Sequence, residues 1–196
     1  LFIGIESTEG QTLLGQIIVG EKAEDFSGHA VSLSADGTTV AIGAPYNDGN
    51  GSSSGHVRVF QWVDQTWVQK GAEINGLEAG EYLGFAIDLA ANGERLVIGA
   101  HGNDVLGSQT GQVRVYQWNG EEWGQMGSSI NGLAAKGYTG YAVSMSASGN
   151  EIVVGRPDIF NESYFGAGLL IYNWSGLDWQ EVSRRHDEMS NSKYGQ

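Results

Sequence analysis

The sequence predicts an all-β fold assembled from repeated four-stranded antiparallel sheets, and three observations carry that prediction. The first is a strict internal period: Gly28, Gly84 and Gly140 are spaced by 56 residues, as are Trp62, Trp118 and Trp174. The same interval relates Trp67, Trp123 and Trp179, then Gly37, Gly93 and Gly149, then Gly43, Gly99 and Gly155. The second is composition: 31 glycines and only 2 prolines, without a collagen period, point to many tight turns. The third is a set of short runs in which apolar and small or polar residues alternate between turn residues.

The elements follow in order. Leu1-Phe2-Ile3-Gly4-Ile5 reads as a strand. Residues 1–23 align with the end of a preceding unit, because Ile18-Val19-Gly20 matches Ile74-Asn75-Gly76 and Ile130-Asn131-Gly132. Residues 24–79 form the first full repeat. Its first strand is Ala30-Val31-Ser32-Leu33-Ser34, and the turn Ala35-Asp36-Gly37-Thr38 is predicted as a type I′ connection on its Asp-Gly pair. The second strand is Thr39-Val40-Ala41-Ile42-Gly43-Ala44, followed by a glycine- and serine-rich loop over residues 47–55. Val57-Arg58-Val59-Phe60-Gln61-Trp62 is the third strand, and Trp67-Val68-Gln69-Lys70 the fourth and outermost. Residues 80–135 and 136–191 copy this plan, and residues 192–196 read as the start of a next unit.

One four-stranded sheet per roughly 40 to 60 residues is the pattern of a β-propeller blade. The first strand is small and glycine-flanked, as suits a crowded central axis, whereas the outer strands carry large aromatics that fill the wider space between splayed sheets. The expected fold is therefore about three and a half blades of a larger propeller or assembly. A blade cannot bury both of its faces alone. Further blades of a longer polypeptide, or other subunits, are expected to complete the ring.

The repeats resemble FG-GAP repeats, the blade type of integrin α-subunit propellers and related secreted proteins. The first half of the motif stands as Ser27-Gly28, Leu83-Gly84-Phe85 and Thr139-Gly140-Tyr141. The second half is Gly43-Ala44-Pro45, with altered forms at Gly99-Ala100-His101 and Gly155-Arg156-Pro157. Calcium-binding members carry an Asp-x-Asp-x-Asp-Gly loop between the halves. Here that position holds only the turns at Asp36-Gly37, Asn92-Gly93 and Ser148-Gly149, which offer too few oxygens for a cage. The resemblance implies a binding, adhesion or assembly module at the cell surface or outside the cell, without catalytic residues.

Charge narrows the partners. A net charge of −13, from 23 acidic against 10 basic side chains, repels phosphate backbones and argues against nucleic acid. There are no cysteines, which excludes disulfides and thiol chemistry. No run approaches the roughly 18 apolar residues of a membrane span. The four histidines fall in different repeat positions, without metal-ligand spacing, and read as structural. No cofactor or metal is expected; Asn47-Asp48 and Asn103-Asp104 offer at most weak calcium binding. Repeat three replaces both that Asn-Asp pair, by Ile159-Phe160, and the arginine of Arg58 and Arg114, by Leu170. Joint loss predicts the ion pairs Asp48–Arg58 and Asp104–Arg114.

The six tryptophans recur too regularly for a sugar platform and are expected to pack between blades. The partner contact is placed instead at Ile159, Phe160, Tyr164 and Phe165, where repeat three has gained large apolar side chains in an otherwise polar loop. Asn50 and Asn161 lie in sequons of corresponding loops and are the candidate glycosylation sites. The expected function is a non-enzymatic scaffold that presents loops to protein or glycan partners. A structural subunit of an extracellular filament or surface layer, and a propeller lyase or hydrolase with its site in other blades, are the alternatives.

Overall fold

The computed structural model describes residues 14–157 and 168–186. The fold is all-β, and its blades are three antiparallel sheets in sequence order. Blade one contains β1 (Ala30–Leu33), β2 (Thr39–Ala44), β3 (His56–Val63), β4 (Thr66–Gln69) and β5 (Ile74–Asn75). Blade two contains β6 (Ala86–Leu89), β7 (Arg95–Ala100), β8 (Gln112–Trp118), β9 (Trp123–Gln125) and β10 (Ile130–Asn131). Blade three contains β11 (Ala142–Met145), β12 (Glu151–Arg156), β13 (Gly168–Trp174) and β14 (Trp179–His186). A single 3-10 turn, Ala23–Asp25, precedes blade one, and no described helix is long and apolar enough to cross a membrane.

The outermost strand is interrupted in blades one and two. Both β4 and β5 pair with β3, and both β9 and β10 pair with β8, so each couple is one strand broken in the middle. Gly71 and Gly127 sit at the breaks with φ of 78° and 75°. Blade three has Ser183 at this position, and β14 runs on past it through a bulge opposite Ile171 and Tyr172.

The hairpin turn differs from the sequence expectation. Gly37, Gly93 and Gly149 have positive φ, but Asp36, Asn92 and Ser148 do not, which excludes type I′. Each is a four-residue turn instead, closed by the glycine amide on the carbonyl three residues earlier, as from Gly37 to Ser34 at 2.9 Å. The Asp36 side chain accepts from Ser34 Oγ and the Thr38 amide, which fixes this longer turn.

The hydrophobic cores lie between the sheets. Ala41, Val57, Val59 and Ile74 of blade one meet Ile87, Leu89, Leu96 and Ile98 of blade two. Val97, Val113, Val115 and Met126, from the opposite face of blade two, meet Met145, Ile152, Val154 and Leu170 of blade three. The two-residue period of β7 thus feeds both cores, and blade two is covered on both sides. The innermost strands β1, β6 and β11 lie side by side. There Asp88 of β6 accepts from Ser32 Oγ at 3.0 Å and from the Met145 amide at 2.7 Å, tying three blades together.

The repeated tryptophans do the same at the periphery. Each pair faces across its hairpin, with ring centroids 5.1, 5.6 and 5.4 Å apart. Trp123 Nε1 donates to the Lys70 carbonyl at 2.8 Å and Trp179 Nε1 to that of Met126 at 2.9 Å, in each case the preceding blade.

Candidate interaction surface

The FG and GAP glycines are where adjacent blades approach most closely. The amide of Gly84 donates to the Gly99 carbonyl within blade two, while Gly84 itself lies against Gly43 of blade one. A Cβ on Gly43 would collide with the Gly84 carbonyl, and one on Gly99 with that of Gly140. The loop after the second strand is stitched to the next linker by parallel backbone pairing, Gly55 with Leu83 and Gly111 with Thr139. These contacts fix the turn that enters blades two and three.

That turn carries an aromatic residue in the left-handed region at each repeat: Phe26, Tyr82 and Tyr138, with φ of 54°, 54° and 49°. The amide three residues on closes the turn, from His29 to Phe26, Phe85 to Tyr82 and Tyr141 to Tyr138. With Tyr46 and His101 from the loops after β2 and β7, eight rings form one continuous row. Phe26 meets Tyr46 at 5.0 Å, and Tyr46 meets Tyr82 at 5.5 Å. Tyr82 then stacks on His101 at 5.2 Å and 15°. Phe85 lies 4.2 Å from His101, 4.6 Å from His29 and 4.9 Å from Tyr141. A side chain at Gly102 would strike the Tyr82 ring, so this glycine opens the space for the stack.

Behind the row lies a buried polar network. Glu81, just before Tyr82, is fully enclosed and forms an ion pair with Arg114 of β8. It also accepts from Asn103 Nδ2 at 3.0 Å and the Leu77 amide at 2.5 Å. Blade one repeats the plan with Asp25, which accepts from Asn47 Nδ2 at 2.8 Å, while Arg58 donates to the Val19 carbonyl at 2.7 Å. The expected pairs Asp48–Arg58 and Asp104–Arg114 do not form. Asp48 and Asp104 cap their own loops, accepting from the Ser53 and Gln109 amides. The acid lost together with the arginine in repeat three belongs to another position: Gly137 stands where Asp25 and Glu81 stand, and Arg156, on β12, is buried there instead.

His101 is the most perturbed histidine of the surface. Burial, and then the nearby His29, push it down from 6.5 to about 4, so it is neutral at pH 7. Its folded value lies below the unfolded one, so the unfolded chain binds the extra proton between about pH 6.5 and 4. This contribution is intact above that window and is lost as pH falls through it. Lowering the pH from 7 to 5 should cost about 1–2 kcal/mol through this group, allowing for its partial solvation. Urea midpoints at both pH values should show a smaller difference in His101→Phe; an equal difference would remove His101 as the cause.

The residues expected at the partner contact, Ile159, Phe160, Tyr164 and Phe165, lie outside the described residues, as does Asn161. Asn50 is described: it is exposed, and its Nδ2 donates to the Gly76 carbonyl at 2.8 Å. The aromatic row was not singled out from sequence. The column Phe26, Tyr82 and Tyr138, in register two residues before the FG glycine, is the signal that would have found it.

Adjacent sheets with inner strands side by side and cores between them define a β-propeller-repeat protein. A model of the FG-GAP repeat matches residues 20–60, which run from the entry to blade one into its third strand, in keeping with the resemblance of the motifs. Among solved structures, the chain is similar to the Saccharomyces cerevisiae protein Sqt1, a WD40 β-propeller, with a TM-score of 0.52 and 12% identity. The match covers 83% of this chain and 36% of that one, and at this identity it concerns the fold alone. No curated protein is matched.

Proposed function

We propose that the chain is a non-enzymatic interaction scaffold, acting outside the cell, that presents its aromatic row to a protein or glycan partner. The observation that carries this reading is the row itself: Phe26, Tyr46 and Tyr141 remain 59%, 37% and 41% exposed although their backbones are pinned. Aromatic rings offer large contact area with few rotatable bonds, for apolar protein surfaces and for the C–H faces of sugars alike. Their backbones are held by turn hydrogen bonds, from His29 to the Phe26 carbonyl, Tyr46 to that of Asp25 and Tyr141 to that of Tyr138, so little ordering entropy opposes binding.

Arrays of glycans and of extracellular protein domains, probed with the full chain, test the reading. Tyr46→Ala and Tyr141→Ala are each expected to weaken a captured ligand by about 30-fold, equivalent to about 2 kcal/mol, with an unchanged melting temperature. Ligands indifferent to both substitutions would move the contact elsewhere and remove the basis for this function.

A structural-subunit reading draws on a different observation. Val31 and Leu33 on blade one, and Leu169 on blade three, are 64%, 57% and 50% exposed. Further blades, from the same polypeptide or from other subunits, would cover them.

A further inference from the structure

We propose that Glu21, His56 and Glu73 form a binding site for a divalent transition-metal cation of the zinc type. Three separate segments supply the donors. His56 opens β3, Glu73 precedes β5 on the neighbouring strand, where Asn75 pairs with His56, and Glu21 comes from the linker entering blade one. Their ligand atoms all lie within 4.8 Å of one another.

The imidazole is what separates this group from an ordinary acidic cluster. His56 is 1% exposed, and its Nδ1 is buried without a hydrogen-bond partner. Glu73 Oε2 lies 3.8 Å from it, beyond hydrogen-bond reach. A buried ring nitrogen in that state carries an uncompensated desolvation cost, which a coordinated cation would remove. Metal–nitrogen and metal–oxygen bonds of about 2.0–2.2 Å place two ligands of one ion roughly 3–4 Å apart. Both glutamates are exposed, so their side chains can close the remaining gap.

The second repeat acts as an internal control. Leu77, Gln112 and Ser129 occupy the positions of Glu21, His56 and Glu73, so all three donors are replaced together. Gln112 is also satisfied, donating to Asn131 Oδ1 at 2.7 Å and accepting from Arg114 Nε at 2.6 Å. Where the fold needs only a polar residue at this strand end, it has a paired glutamine. Where it has a histidine, that histidine is unpaired and faces two carboxylates.

One imidazole nitrogen and two carboxylates suit zinc and its neighbours rather than calcium or magnesium, which take oxygen ligands. Three protein donors leave room for water in the remaining coordination. Burial lowers the His56 pKa, keeping the ring in the neutral form that binds metal. The carboxylates of Glu21, Glu73 and Asp25 outnumber the one nearby cation, Arg58, in the field at His56. A bound ion would clip the incoming linker to the edge of blade one.

Calorimetric titration of the full chain with zinc chloride, and separately with calcium chloride, tests the site. The unsubstituted protein should take up zinc saturably at one site and bind calcium far more weakly. His56→Gln, which installs the residue of repeat two, should lower zinc affinity on the order of 100-fold, and the exposed Glu73→Gln at least about 10-fold. Zinc should raise the melting temperature of the unsubstituted chain and not of His56→Gln. Absence of saturable zinc uptake, uptake that survives both substitutions, or calcium binding of equal strength would each overturn the proposal.

Discussion

Glu81→Ala is expected to destabilise the protein by about 3–5 kcal/mol, among the largest effects of any single side-chain truncation. The carboxylate is fully enclosed and is the acidic partner of Arg114, itself 1% exposed. Removing it leaves a guanidinium in a low-dielectric interior, with Gln112 beside it, and strips the acceptor from Asn103 Nδ2 and the Leu77 amide. Urea unfolding measures the loss. A double-mutant cycle on Glu81 and Arg114 should give a coupling of several kcal/mol, and one on Asp104 and Arg114 less than about 0.5. A Glu81→Ala cost below about 1 kcal/mol would mean that the pair is not a main anchor of the blade-two turn.

Gly99→Ala should be comparably damaging by another route. Its new methyl group would meet the Gly140 carbonyl, a backbone atom with no rotamer to yield, so that blades two and three must separate locally. Overpacking of this kind costs about 3 kcal/mol or more. Gly43→Ala, against the Gly84 carbonyl, should behave alike. Gly155→Ala belongs to the same repeat column but, among the described residues, meets first the Ala142 Cβ at 3.1 Å, so its cost should stay near 1 kcal/mol. Thermal unfolding of the three variants separates the cases. Equal losses would show that the column is constrained by its own strand and not by the neighbouring blade.

The repeat, the four-strand plan and the packing role of the tryptophans were readable from sequence because each leaves a periodic trace. The glycine columns were equally visible, but their cause was not. Only the folded structure shows that Gly43 and Gly99 answer to a carbonyl of the next blade. The Arg114 assignment failed because joint loss in repeat three has two readings. Both Asp104 and Glu81 have non-acidic counterparts there, Phe160 and Gly137, and the loop acid is nearer in sequence. Proximity misled, since Asp104 turns back on its own loop. The turn at Asp36-Gly37 was misjudged because an Asp-Gly pair does not reveal how many residues the loop contains. The aromatic row and the Glu21–His56–Glu73 group share a deeper obstacle. Their members come from different blades or strands; only the Phe26, Tyr82 and Tyr138 column of the row leaves a periodic trace, and no spacing along the chain announces the rest.

The Trp123 and Trp179 indoles each reach backward to a carbonyl of the preceding blade. This gives the array a polarity that its pseudo-repetition hides. Blade three depends on blade two for its indole acceptor, whereas blade two has its indole acceptor on blade one. The described blades are therefore a series of nearest-neighbour couplings with a direction, the indole donors of blades two and three each resting on an acceptor of the blade before. Loosening the Lys70 carbonyl frees an indole of blade two, and loosening that of Met126 frees one of blade three. Because each bond is shared, its loss weakens the donor blade and the acceptor blade alike, and the effect passes along the series one neighbour at a time.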